Sequence, residues 1–273
     1  MTVIISSYGT PNKIEEVDEY VKIIYGKERR EVSEDLKRRM RVVGMSPANA
    51  IVNEIARKLR DRIKEEVLVG NRNWHPLIDE VIKEVKDEIR FVPLTPFSSK
   101  YVLRGYIEAL KRAIKETKLK LVSGWYRDYK FQEIWAERVK EGVNSDVIFT
   151  AHTLMRGDDY EDQVHCLARG IAKVLNLRNF FVAFHSQPMM EGEWIGPSVF
   201  EIVDKVKEAF IVPIGFVFNN LEVMYDLDYE LREILRARGI KYRRAKLLDS
   251  DDDFIDFLSK VIYEEEYVTN LIV

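Results

Sequence analysis

Two histidines stand where short apolar runs end. His152 follows Asp146–Ala151, and His185 closes Phe180–His185. An imidazole at the carboxyl end of a strand suits proton uptake, or metal ligation as the neutral base; the bland alternative is a hydrogen-bonded strand-end histidine. A second constellation begins at Glu222. Read as an α-helix, the segment puts Val223, Leu227 and Leu231 on one face, a core stripe. Glu222, Asp226 and Glu230 then follow one another at i, i+4 and i+8, with no Lys or Arg between them to relieve the repulsion. Such a row is either a solvated acidic face or a set of carboxylates that bind a hydrated divalent metal or relay protons. His165, inside a helical stretch, and His75, in Asn-Trp-His-Pro, read as a surface or core residue and a turn residue.

A third group is aromatic and basic. Tyr8, Tyr25, Phe97, Tyr101, Tyr106, Trp125, Tyr126 and Trp194 fall in or near expected loops, and Lys27, Arg29, Arg30, Arg38, Arg39 and Arg41 cluster early. Flat apolar walls with cations suit a planar ligand carrying carboxylate arms. The same residues are equally the material of cores and solvated helix faces.

The elements that must position these groups alternate. Apolar β-type runs are expected at Val3–Ser7, Glu66–Val69, Ile89–Pro93, Lys120–Ser123, Asp146–Ala151, Phe180–His185 and Phe210–Pro213, with helical periodicity between them. Strand–helix alternation predicts an α/β fold with parallel sheets covered on both faces, either one wide sheet or two four-stranded units. Ligands of such folds sit beyond the carboxyl ends of the strands, where both histidines and Glu222 are placed. No Gly-x-Gly-x-x-Gly and no Gly-Lys-Ser/Thr loop is present there, which disfavours a nucleotide enzyme. An interdomain joint is expected near Glu116–Lys120, and the helix around Asp251–Glu264 is expected to return onto the first half.

Composition narrows the partners. The 273 residues are 46% hydrophobic, enough for a sizeable core, and 43 Lys and Arg against 46 Asp and Glu leave a net charge of −3. No net positive field is available for nucleic acid. Cys166 is the only cysteine, so a Cys-ligated zinc or iron–sulfur site and an internal disulfide are excluded. The longest apolar run, near Ile211–Phe218, is far short of the roughly 20 residues of a membrane span. The N-terminus lacks a basic leader and reads as a buried strand, so a soluble, cytoplasmic protein is expected.

Five segments, in order, resemble the ferrochelatases, most closely their short soluble bacterial-type branch, which includes enzymes that metallate coproporphyrin. They are Ser7-Tyr-Gly-Thr-Pro11, Gly44-Met-Ser-Pro47, Thr150-Ala-His-Thr-Leu154 with Gly157-Asp-Asp-Tyr160, Trp194-Ile-Gly-Pro-Ser198, and Val212-Pro-Ile-Gly-Phe216 through Leu221-Glu-Val-Met-Tyr-Asp226. The resemblance implies two Rossmann-like lobes, class II chelatase-like, with a porphyrin cleft between them. The lobes are expected at 1–117, completed by 251–273, and at 118–250. It further implies insertion of ferrous iron, as substrate, into protoporphyrin IX or coproporphyrin III in haem biosynthesis, without an organic cofactor or membrane anchor, by a monomer. The family's catalytic pair falls on His152 and Glu222, and its following acidic positions on Asp226 and Glu230, giving an expected metal row of these four. Tyr8, Arg39, Ser46 and Tyr106 fall on substrate-binding positions.

The chain also departs from the pattern. Phe218-Asn219-Asn220 stands for Ser-Asp-His, Thr153 and Met155 follow the histidine where a small residue and a proline are usual, and Ile24-Tyr25 occupies the place of two carboxylate-binding arginines. Lys27, Arg29 or Arg30 are candidate replacements for those arginines. His185 stands in place of glutamine, as a further metal-capable or substrate-binding group. Two other readings stay open: a sirohydrochlorin or cobalt chelatase, and a porphyrin or haem carrier without turnover.

Overall fold

The computed structural model describes residues 1–113, 118–187 and 192–272. In chain order the first half runs β1 (Thr2–Ser6), α1 (Val17–Tyr25), α2 (Arg30–Val43), α3 (Ala48–Ile63), β2 (Glu66–Val69), α4 (Ile78–Ile82), β3 (Ile89–Pro93), α5 (Lys100–Ala113) and β4 (Lys118–Val122). The second runs α6 (Tyr129–Val139), β5 (Asp146–His152), α7 (Tyr160–Val174), β6 (Phe181–His185), α8 (Val199–Ile202), β7 (Glu208–Val212), a π-helix (Val223–Leu231), α9 (Arg232–Ala237), β8 (Lys241–Arg244), α10 (Asp252–Val261) and β9 (Val268–Ile272).

The strands form two sheets, ordered β2-β1-β3-β4-β9 and β6-β5-β7-β8. All pairings are parallel except that of β4 with β9. Central strands are apolar throughout because helices cover both faces: β1 and β3 are buried at every residue, and β5 at Val147–Ala151. The polar strand β8 survives as an edge, its Arg244 bonded to Asp228 at 2.7 Å.

One expectation changes. The first sheet takes β4, so the division expected at 117/118 falls one strand early. The reason is packing: Leu119, Leu121 and Val122 are buried beside β3. Of the joint expected at Glu116–Lys120, residues 114–117 lie outside the described ones. The lobes also share one apolar core: Val3, Val92 and Phe97 from the first sheet's side join Phe149, Phe184 and Ile211 in a single cluster. The return of α10 contributes to it, through packing on α3 and α6.

Candidate active site

The register pairs His152 on β5 with His185 on β6, at the carboxyl ends of neighbouring parallel strands. Their ring centroids lie 6.2 Å apart. His152 Nδ1 stands 2.5 Å from the Thr153 carbonyl. A carbonyl only accepts, so Nδ1 is the donor, and in the neutral tautomer this fixes, Nε2 carries the unshared pair. That nitrogen is 3.9 Å from Glu222 Oε2, at the start of the π-helix. The gap is too wide for a direct hydrogen bond. It is just under twice a metal–ligand bond of about 2.1 Å, so an ion or a shared proton carrier fits between the two groups.

Tyr8, in the loop after β1, is 46% exposed, and 46% of the Glu222 side chain is open to solvent. Yet protein crowds both. Burial pushes the Glu222 carboxyl above its usual range, with the charge of His152 acting against it and that of Asp226 with it. Burial likewise raises the Tyr8 phenol; Arg72 opposes this and Glu222 adds to it. Both groups are thus open to water on one side and crowded by protein on the others. The surface hollow lined by Asn144, Asp146, Arg178, Phe181 and Lys207 lies instead at the amino-terminal end of the second sheet.

Behind His152 runs a hydrogen-bonded series. His185, 2% exposed, bonds through Nδ1 to Ser186 Oγ at 2.8 Å. Ser186 Oγ donates to Asp226 Oδ2, and Asp226 Oδ1 receives Arg39 Nη1 at 2.6 Å. Since the Ser186 proton goes to Asp226, His185 must donate through Nδ1, leaving Nε2 as an acceptor. Among the described residues that nitrogen is buried without a hydrogen-bond partner. Ser186 holds a left-handed φ of 61°, a conformation that β-carbon-bearing residues adopt at a cost.

The expected metal row is not assembled. Among the described residues no group of three or more His, Cys, Asp or Glu side chains is placed to hold a metal ion. The helix is of the i→i+5 type, so four residues fall short of a turn where in an α-helix they overshoot it. Asp226, 5% exposed, turns inward onto Arg39 and Ser186, while Glu230 reaches solvent. His185 is likewise not a third metal-binding member of a ready cluster.

The other expected residues divide. Arg39 crosses from α2 to bind Asp226, is held by Asp35 at 2.8 Å, and lies over the Tyr225 ring at 4.5 Å. Arg38 adds a 2.6 Å bond to the Tyr225 hydroxyl. The early cations and late carboxylates noticed in the sequence therefore meet as a brace between α2 and the π-helix. Ser46 Oγ accepts from the Ala48 amide at 3.3 Å at the start of α3. Tyr106 is 8% exposed and packs against Phe91 in the first-sheet core rather than standing open to a ligand. His75 is exposed and paired with Glu80. Ser186, Tyr225 and Arg72 were not singled out by sequence, since none stands in a pattern that chemistry demands.

Burial, then the charge of His152, pulls the His185 pKa from 6.5 down to about 3. Between these values the unfolded chain carries a proton on this imidazole that the folded chain lacks, so stability falls as pH falls. The term is absent above 6.5 and reaches about 2 kcal/mol at pH 5. A His185→Gln protein is expected to lose about 2 kcal/mol less than wild type between pH 7 and pH 5, measured by urea unfolding at both; equal losses would refute it.

A model of the ferrochelatase family matches residues 1–266. The ferrochelatase of Thermoplasma acidophilum is 30% identical over 94% of this chain and 89% of its own length. Coproporphyrin III ferrochelatase 1 of Bacillus anthracis is 30% identical over 97% of both chains. Among solved structures, SirB from Bacillus subtilis with Fe3+ superposes with a TM-score of 0.62 at 12% identity, covering 97% of this chain and 96% of that one. CbiX, described as the terminal enzyme of sirohaem biosynthesis in denitrifying bacteria, gives 0.57 at 12% identity over 96% and 98%. These two share the fold, two parallel-sheet lobes flanked by helices. Among the described residues no helix is long and apolar enough to cross a membrane.

Proposed function

The chain belongs to the ferrochelatase family, and from that premise we propose that it inserts ferrous iron into a propionate-bearing porphyrin, protoporphyrin IX or coproporphyrin III, in haem biosynthesis. The observation that carries the reading is the His152 Nε2–Glu222 Oε2 pair, 3.9 Å apart, with Tyr8 near enough to feel the Glu222 charge.

Metallation replaces two pyrrole N–H protons with one Fe2+, so two protons must leave as the metal enters. His152 Nε2 has the free pair to accept one of them. Glu222, its pKa raised by burial, can take and release the other. Imidazole and carboxylate also suit the entering ion, and zinc or cobalt as well as iron. The cleft walls hold the macrocycle buckled so that its nitrogens become accessible, a strain of about 1–5 kcal/mol drawn from peripheral contacts. Asp226 and Arg39 act in this reading by holding the π-helix that carries Glu222, and Glu230 has no part at the reacting centre. The proposal extends to a cytoplasmic monomer without an organic cofactor.

The test offers protoporphyrin IX, coproporphyrin III and sirohydrochlorin separately with Fe2+ under anaerobic conditions and follows the absorption spectra. Iron-porphyrin product is expected from one or both of the first two. Product from sirohydrochlorin alone would refute the substrate assignment, and a shifted spectrum without product would make the protein a carrier.

A further inference from the structure

A porphyrin with carboxylate arms needs cations at the cleft, and most of the early cluster is either paired within the protein or exposed. Arg38 is bonded to Asp35 and Tyr225, and Arg39 to Asp35 and Asp226. Arg29 lies over the Tyr25 ring, and Lys27 and Arg30 are exposed. Arg72, in the loop after β2, differs. Its guanidinium sits 5.2 Å above the Tyr8 ring, half-buried, with no side-chain hydrogen bond or ion pair among the described residues. Glu108, whose carboxyl its charge helps to hold down, is bonded to Arg104 at 2.8 Å.

The placement is built. The Arg72 amide donates to the Ser7 carbonyl and the Asn73 amide to the Tyr8 carbonyl, each at 2.9 Å, so the two loops are zipped together. A notch in α5 receives the guanidinium: a β-carbon at Gly105 would stand 2.0 Å from Arg72 Cζ. Beside it, Asn73 is 7% exposed, and its side chain reaches the Tyr8 hydroxyl, whose pKa it lowers. Arg72 thus holds unspent donors against a half-exposed aromatic ring. A planar guanidinium can stack on that ring and still grip a carboxylate with two parallel bonds.

We propose that Arg72 anchors a carboxylate of the tetrapyrrole on the Tyr8 wall of the cleft. The inference rests on the function proposed above and adds where one arm of the substrate is held.

The test titrates the intact protein with mesoporphyrin IX and with its dimethyl ester, reading fluorescence quenching. Arg72→Met is expected to weaken diacid binding about ten- to a hundredfold, the value of a charge-assisted pair, and to leave ester binding within about twofold. Arg72→Lys should fall between for the diacid. An Arg72 that merely props Tyr8 would cost both probes alike, and that result, or no loss for the diacid, overturns the proposal. If Arg72→Met does not fold by circular dichroism, Arg72→Lys decides: a loss confined to the diacid supports the anchor, and none or an equal loss overturns it. Wild type binding neither probe would refute the porphyrin reading itself, and this inference with it.

Discussion

Replacing His152 with alanine is expected to slow porphyrin metallation by about 10²- to 10⁴-fold, the range that a positioned acid–base group contributes. The expectation follows from the tautomer. The Thr153 carbonyl holds the proton on Nδ1 and leaves Nε2 as an unshared pair facing Glu222. Alanine removes both the proton acceptor and half of the His152–Glu222 pair. One third of the His152 side chain is exposed, so stability should change by no more than about 1 kcal/mol. Single-turnover rates with prebound porphyrin are the decisive measurement, because they separate chemistry from substrate affinity. A wild-type rate would remove His152 from the reaction.

Trp125→Ala is expected to cost about 3–5 kcal/mol in stability, as large-to-small changes of buried aromatic residues do. Trp125 is 1% exposed and stacks on Phe257 at 5.6 Å with an interplanar angle of 8°, with Phe131 and Phe254 completing the cluster. Its indole nitrogen donates to the Thr95 carbonyl at 2.5 Å. The residue therefore joins the loop after β3, α6 and α10 at one point, and alanine would leave both a cavity and a carbonyl without its donor. Denaturant unfolding at pH 7 measures the change, and a loss below about 1 kcal/mol would show that the cluster collapses onto the gap.

The sequence carried the central strands plainly, because an apolar run of parallel-sheet length between helical segments has few other readings: Glu66–Val69 and Ile89–Pro93 are found at the expected bounds. It did not carry β8, whose Lys-Tyr-Arg-Arg is strand-like only through its pairing with β7. Nor did it carry β9, a partner for a strand formed far earlier. The π-helix was hidden for a different reason: Val223, Leu227 and Leu231 are buried under either winding, so the core stripe cannot report which one is present. The winding decides the fate of the carboxylates, and with it whether a row or a brace results. His152 and Glu222 were legible because each closes or follows an apolar strand where the fold places its ligands. Arg72 was not, since a lone arginine between two asparagines becomes distinctive only when the neighbouring carboxylates prove to be engaged elsewhere.

The antiparallel pairing of β4 with β9 has a consequence for synthesis. Lys118 pairs with Ile272, so the outer edge of β4 waits for a strand made about 150 residues later, roughly ten to thirty seconds at cellular elongation rates. Throughout that interval the growing chain presents an unpaired, largely apolar strand edge, the kind of surface on which nascent proteins stick to one another. Emergence from the ribosome, rather than life as a finished enzyme, is when this protein would most need a chaperone.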